Sequence, residues 1–308
     1  MDFYLTLEKV SVLFSLIVIG YIVGKFNIVT KSGQKDLTGL VLKVTMPATI
    51  IIAMQQPFSS DKVHNILVLI GIFILSYAIM FVSGLALSKL LNKEPANRKD
   101  IIRAGVLLSN TSFMGYPIVL SLLGEESLFY AVICGGFVFE IISWTYGVYL
   151  IGRNAEGGQA GLKEALLNPG VISIFVGGIL FLTGTSIPEP IFSTMKLLGG
   201  ATSPLAMIVV GLILSRSKMG DAFKDKSIFA VAISKLVINP LLIIGVLRLL
   251  NFDGMNIVIP VVLLSMPTAA YLAMFSENSG NDDKFASGIV FVSSLLSLIT
   301  IPLITALL

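Results

Sequence analysis

The stretch Ser109-Asn110-Thr111-Ser112-Phe113-Met114-Gly115-Tyr116-Pro117 sets four polar side chains in a row, followed by a glycine and a proline, inside an apolar window at 101–122. A helix that merely anchors a chain in lipid needs apolar side chains and nothing else. Proline removes a backbone donor and clashes with the preceding turn, while Asn and Gly tolerate non-helical angles. The spacing therefore predicts a helix that unwinds near mid-membrane. Polar backbone freed there is tolerated only beside protein or a water-filled cavity. A second such stretch, Ser265-Met266-Pro267-Thr268-Ala269-Ala270-Tyr271, interrupts the window at 255–276. The plainer reading is that Pro117 and Pro267 only kink packed helices. Paired interruptions in matching positions favour a binding site.

The composition around these stretches belongs in lipid. Of 308 residues, 55% are hydrophobic and 13% charged, and the mean hydropathy is +0.93, against about 25% charged residues in soluble domains. Windows of about 20 apolar residues lie near 10–25, 36–56, 64–90, 101–122, 127–151, 168–185, 190–214, 227–249, 255–276 and 285–307. They predict an all-α membrane protein of ten spans. The N-terminus lacks the pattern of a removed signal peptide, so the first window is expected to stay as a span. The single cysteine, Cys134, allows no intrachain disulfide.

With the N-terminus outside, 15 of the 21 Lys and Arg fall at inside ends: Lys25, Lys31, Lys35, Lys89, Lys93, Arg98, Lys99, Arg103, Arg153, Lys163, Arg216, Lys218, Lys224, Lys226 and Lys284. Only Lys9, Lys62, Lys196 and Arg248 fall outside, and Lys43 and Lys235 lie within spans. The positive-inside bias places both termini outside a cytoplasmic membrane.

Sliding the sequence on itself by 157 positions brings Gly20 onto Gly177, Thr45-Met46-Pro47-Ala48 onto Thr202-Ser203-Pro204-Leu205, and Asn110-Thr111 onto Pro267-Thr268. This offset predicts two homologous halves, 1–152 and 166–308, joined by a short inside linker at 153–165. Five spans per half is odd, so the second copy enters the membrane from the opposite side, the inverted plan of many secondary transporters. Pro47 and Pro204 have fewer polar neighbours and read as kinks in a scaffold.

Glu140 lies about 18 Å deep at about 1.5 Å per residue, too far to snorkel. An acid at that depth is a candidate for coupling, or else a neutral acid bonded to a neighbouring helix. Lys43 and Lys235 are closer to the inside interface. Snorkelling suits Lys43, whereas Lys235, with Asn239 and Pro240 after it, is able to snorkel, to pair with Glu140 or to attract an anion.

The 109–117 string resembles the fourth-helix motif of the auxin efflux carrier family, an Asn-Thr pair followed by Met-Gly, a variable residue and Pro. Met266-Pro267-Thr268 looks like that family's second interruption, and Trp144, Lys235 and Pro240 add to the likeness, which runs through nearly the whole chain. The short central loop is similar to compact, bacterial-type members. The resemblance implies crossed, broken fourth and ninth helices, a transport domain from helices 3–5 and 8–10, and a scaffold and homodimer interface from helices 1, 2, 6 and 7. It also implies carboxylate substrates. Glu140 departs from the plant pattern, which has an amide there, so its role is not carried over.

The expectation is a carrier that moves a small carboxylate anion by alternating access, with a proton as a candidate coupling ion. A sodium-coupled symporter of the bile-acid type is the alternative. Expected substrate-binding residues are Asn110, Thr111, Gly115, Tyr116, Pro117, Pro267, Thr268, Ala269 and Tyr271, with Glu140, Lys235 and Asn239 in coupling or support. No His-Glu-x-x-His motif or pair of intraspan aspartates points to an enzyme, the one histidine, His64, sits at a membrane edge, and neither a metal, a cofactor nor a nucleic-acid partner is expected.

Overall fold

The computed structural model describes residues 3–155, 168–216 and 222–308, all of whose elements are helices. Most of the expected linker at 153–165, with Lys163 and also Lys218, lies outside them. In chain order the helices are α1 (Phe3–Lys25), α2 (Lys31–Ala53), α3 (Ser60–Leu90), α4 (Ala96–Leu107), α5 (Thr111–Leu123) and α6 (Glu125–Gly152). They continue with α7 (Pro169–Thr183), α8 (Glu189–Arg216), α9 (Lys226–Leu249), α10 (Met255–Leu264), α11 (Tyr271–Asn278) and α12 (Asp283–Thr305).

Seven of these, α1, α2, α3, α6, α8, α9 and α12, are long and apolar enough to cross a membrane. The other three windows differ instructively. The 168–185 window forms the 15-residue α7, about 22 Å long by helix rise. The 101–122 and 255–276 windows each form two short helices with irregular backbone between them.

Several helices contain one turn wider than α, closed by i→i+5 hydrogen bonds. Three of them, Val41–Thr45, Thr111–Gly115 and Ser234–Ile238, end just before Pro47, Pro117 and Pro240. A proline ring collides with the carbonyl four residues back, and one wide turn moves that carbonyl aside without ending the helix. Two more wide turns, Ala131–Gly136 and Ser143–Gly147, bracket the segment of α6 that carries Glu140. They follow packing rather than proline. A Cβ at Gly135 would lie 2.5 Å from Leu263, and one at Gly136 would lie 2.1 Å from the Tyr116 hydroxyl.

The closest helix crossing joins α1 and α8. A Cβ at Gly20 would sit 2.2 Å from the Ile208 carbonyl oxygen, and one at Gly211 2.1 Å from that of Ile17. Only glycine permits this approach, the usual device of lipid-embedded helices, which lack a hydrophobic drive to associate. Between α2 and α8, Thr49 Oγ1 lies within hydrogen-bond reach of the Gly199 carbonyl at 3.0 Å and of Thr202 Oγ1 at 2.7 Å. Gly177 of α7 similarly admits Met54, whose sulfur would be 2.4 Å from an added Cβ.

Candidate functional site

Both interrupted helices break at the same place. Beyond α4, the Asn110 amide donates to the Pro267 carbonyl at 2.8 Å, and the Ala269 amide donates to the Leu108 carbonyl at 2.8 Å. Ser109 and Thr268 thus form an antiparallel bridge. Each break satisfies backbone groups that the other exposes, which is how non-helical chain survives where no water is at hand. Thr268 is fully committed: its amide donates to Ser293 Oγ at 3.1 Å and its hydroxyl to the Gly105 carbonyl at 2.8 Å.

A cavity of about 230 Å³ opens beside this pairing. At about 30 Å³ per liquid water it holds the volume of roughly eight water molecules. Its polar wall is the first turn of α5, with Asn110, Thr111 and Ser112, and the first turn of α11, with Ala269, Ala270 and Tyr271. Leu42, Phe113, Phe139, Val210, Ile213, Leu214, Met274 and Val290 supply the apolar wall, and Thr38 and Ser294 complete it. Among the described residues no charged side chain lines it. The cavity separates α2 and α8 on one side from α5, α6, α11 and α12 on the other.

Two side chains here lack protein partners. Among the described residues the Asn110 amide makes no side-chain hydrogen bond, and the Thr111 hydroxyl is buried and unpaired. Most buried polar groups find partners, so these are free to take a ligand. The starts of α5 and α11 add backbone N–H groups without intrahelical acceptors and two positive dipole ends. Such a place suits an anion.

The remaining expected residues fall behind this wall. Gly115 packs on Leu263, 2.7 Å from an added Cβ, Tyr116 and Pro117 are buried, and Pro267 and Thr268 hold the breaks together. Glu140 is buried one layer back, its Oε2 accepting from Trp144 Nε1 at 2.9 Å and its Oε1 from the Tyr271 hydroxyl at 3.4 Å. Asn168, at the start of α7, donates to the same hydroxyl at 3.2 Å. Tyr271 stacks on Phe139 at 5.7 Å and meets Trp144 edge-on at 5.9 Å.

Lys235 is fully buried and donates to Ser109 Oγ. It reaches neither the interface nor Glu140, which corrects two of its three expected options. Asn239 accepts from Ser83 Oγ at 2.6 Å. Sequence reasoning missed Ser112, Phe113, Phe139, Met274, Ser294, Thr38 and Asn168. Ser112 and Phe113 stood within the quoted string; the rest lie on other helices, and only the fold brings them to the cavity.

A second, polar cavity of about 920 Å³ shares Ile213 with the first. It is lined by the start of α2 (Lys31, Gln34), the end of α8 (Arg216), the start of α9 (Asp225), the end of α11 (Glu277), the start of α12 (Asp282, Asp283, Lys284) and Arg98. These termini therefore share one face. On that face Asp100 also accepts from Arg153, whose guanidinium these hydrogen bonds hold even more firmly protonated than usual. At the opposite face Arg248 holds the Leu307 carbonyl at 2.8 Å.

The chain is 28% identical over 308 residues to an uncharacterized transporter of Methanocaldococcus jannaschii, covering 96% of this chain and 97% of that one. It is 26% identical over 304 residues to an uncharacterized transporter of Methanothermobacter thermautotrophicus, covering 96% of each. To a "Putative malonate transporter" of Rhizobium meliloti it is 22% identical over 301 residues, covering 94% of this chain and 91% of the other. The family described as membrane transport protein matches residues 5–164 and 158–305. With helices that can span a bilayer and two broken ones meeting at an anion-suited cavity, this chain belongs to that membrane transport protein family, of the auxin efflux carrier type.

Proposed function

We propose that the chain is a secondary carrier that binds a small carboxylate at the paired breaks and moves it across the cytoplasmic membrane by alternating access. The observation that carries this reading is the Asn110 side-chain amide and Thr111 hydroxyl, unpartnered among the described residues and lining a cavity closed by the first turns of α5 and α11. The walls favour a monocarboxylate with an apolar body. Its charged end would meet the helix starts and its body Phe113, Phe139 and Met274, while a second carboxylate would find no cation there.

In this reading the spans number ten, with α4–α5 and α10–α11 as the fourth and ninth, and the two halves are inverted copies. An axis relating residue i to i+157 must pass between a residue and its own copy. Asn110 and Pro267 are such a pair, and they are joined by a backbone hydrogen bond at 2.8 Å. The packing repeats in the same way, for the offset turns the Gly20–Gly211 contact into the Gly177–Met54 contact. The face with the large vestibule is the inside, because the Lys and Arg bias puts it there, and both termini lie outside.

Glu140 is assigned the coupling role. Both its oxygens are held, one by Tyr271 on the cavity wall, so a change in its proton rearranges a bond at the site. The test is counterflow in proteoliposomes with a panel of mono- and dicarboxylates. Trans-acceleration by apolar monocarboxylates is expected. Flux that neither saturates nor responds to substrate on the far side would reduce the protein to a channel or a non-transporting member.

A further inference from the structure

The inner vestibule is charged in opposite senses on its two walls. On the α2–α8 wall the charged lining residues are Lys31 and Arg216, both cations. The other wall carries Asp225, Glu277, Asp282 and Asp283 against Arg98 and Lys284, an excess of two negative charges. Arg98 is occupied within its own wall, on Asp282 at 2.7 Å, Asp225 at 3.4 Å and Glu94 at 3.5 Å. Arg216 is fastened to its own wall, donating to the Val29 carbonyl at 2.5 Å. Among the described residues no ion pair crosses the cavity, and Lys31, Arg216, Glu277 and Asp283 have no ionic partner.

We propose that this vestibule is the open half of an inner gate, in which Lys31 and Arg216 close onto Glu277 and Asp283. The inference rests on the alternating-access reading above. Each wall is internally tied, so each moves as a unit, and because the two cavities share Ile213, closing the vestibule seals the central one. Across open water the walls attract weakly, since salt screens charges beyond about 8–10 Å. On contact the attraction strengthens, and the pairs hold the inside shut while the outside opens.

The test places a single cysteine at Thr38, on the central cavity, in a Cys134→Ser background, and follows its labelling by an impermeant maleimide applied from either side of oriented vesicles. Lys31→Glu with Arg216→Glu should speed inside labelling about 5- to 10-fold, the effect of losing two exposed pairs. Adding Glu277→Lys with Asp283→Lys should return it to within about 2-fold of the parent. Because Arg216 also holds Val29, the pair Lys31→Glu with Glu277→Lys is measured alongside and should show the same loss and rescue. Labelling from both sides that is indifferent to every reversal overturns the gate and leaves the carrier standing. Labelling from the inside alone in every variant overturns alternating access itself.

Discussion

The two breaks occupy matching positions in the chain and do opposite work. The break between α4 and α5 is short, and among the described residues its Asn110 side-chain amide and Thr111 hydroxyl are left without protein partners beside the cavity. The break between α10 and α11 is longer, and Thr268 spends both donors on protein while Pro267 offers its carbonyl to Asn110. In the proposed function the first break takes the ligand and the second is the clasp that holds it. Two paired breaks can divide the labour in this way, because the hydrogen bonds made at the pairing hold both backbones in place.

The contrast breaks most sharply at Asn110. Asn110→Asp keeps the size but exchanges two donors for a like charge, so anion affinity should fall by more than about 100-fold while the melting temperature stays close to that of the parent. A matching collapse of stability would show that Asn110 is part of the clasp. Thr268→Val should behave in reverse. It leaves the Gly105 carbonyl short of a partner, while the backbone bond to Ser293 stays, at a cost of about 1–3 kcal/mol, read as a lower melting temperature in detergent with affinity little changed. Pro267→Ala lets the helix re-form across the second break and should slow transport more than it weakens binding.

Glu140→Gln is expected to fold and to bind the anion within a few-fold of the parent, but to transport at a rate that no longer follows pH. If its pH profile overlays the parent's, Glu140 is only a buried bond to Trp144 and Tyr271. The smallest effect concerns orientation, where no function changes at all. Single cysteines at Lys93 and Asp253, with Cys134 replaced, should be labelled from opposite sides, and labelling from the same side would invert or dissolve the assignment of the vestibule to the inside.

Much of this was legible beforehand, for a physical reason. Lipid forbids unpaired backbone, so a polar run ending in Gly115 and Pro117 inside an apolar window had to mean unwound chain with a partner, and the repeat offset already matched Asn110 to Pro267. What stayed hidden was which side chains face inward. Gly115, Tyr116 and Pro117 share the polar string with Asn110, yet Gly115 meets Leu263, Tyr116 meets Gly136, and none of the three lines the cavity. Lys235 was hidden too, because distance along a helix limits how far an amine can snorkel but does not say that Ser109 will capture it first. Thr38, Val210 and Ile213 come from helices whose sequence is ordinary apolar span, and only the packing of α2 and α8 across from α11 gives them a role.

The central claim is that the anion is held by the donors of the first break, and calorimetric titration of the purified protein tests it most directly. Once counterflow has identified a transported monocarboxylate, the parent and Asn110→Ala are titrated with it in the same detergent. Loss of hydrogen bonding to a charged group predicts an affinity lower by about 10- to 150-fold in Asn110→Ala, with unchanged thermal stability in the absence of ligand. Equal affinities for the two proteins would contradict the account and place the binding site elsewhere in the bundle.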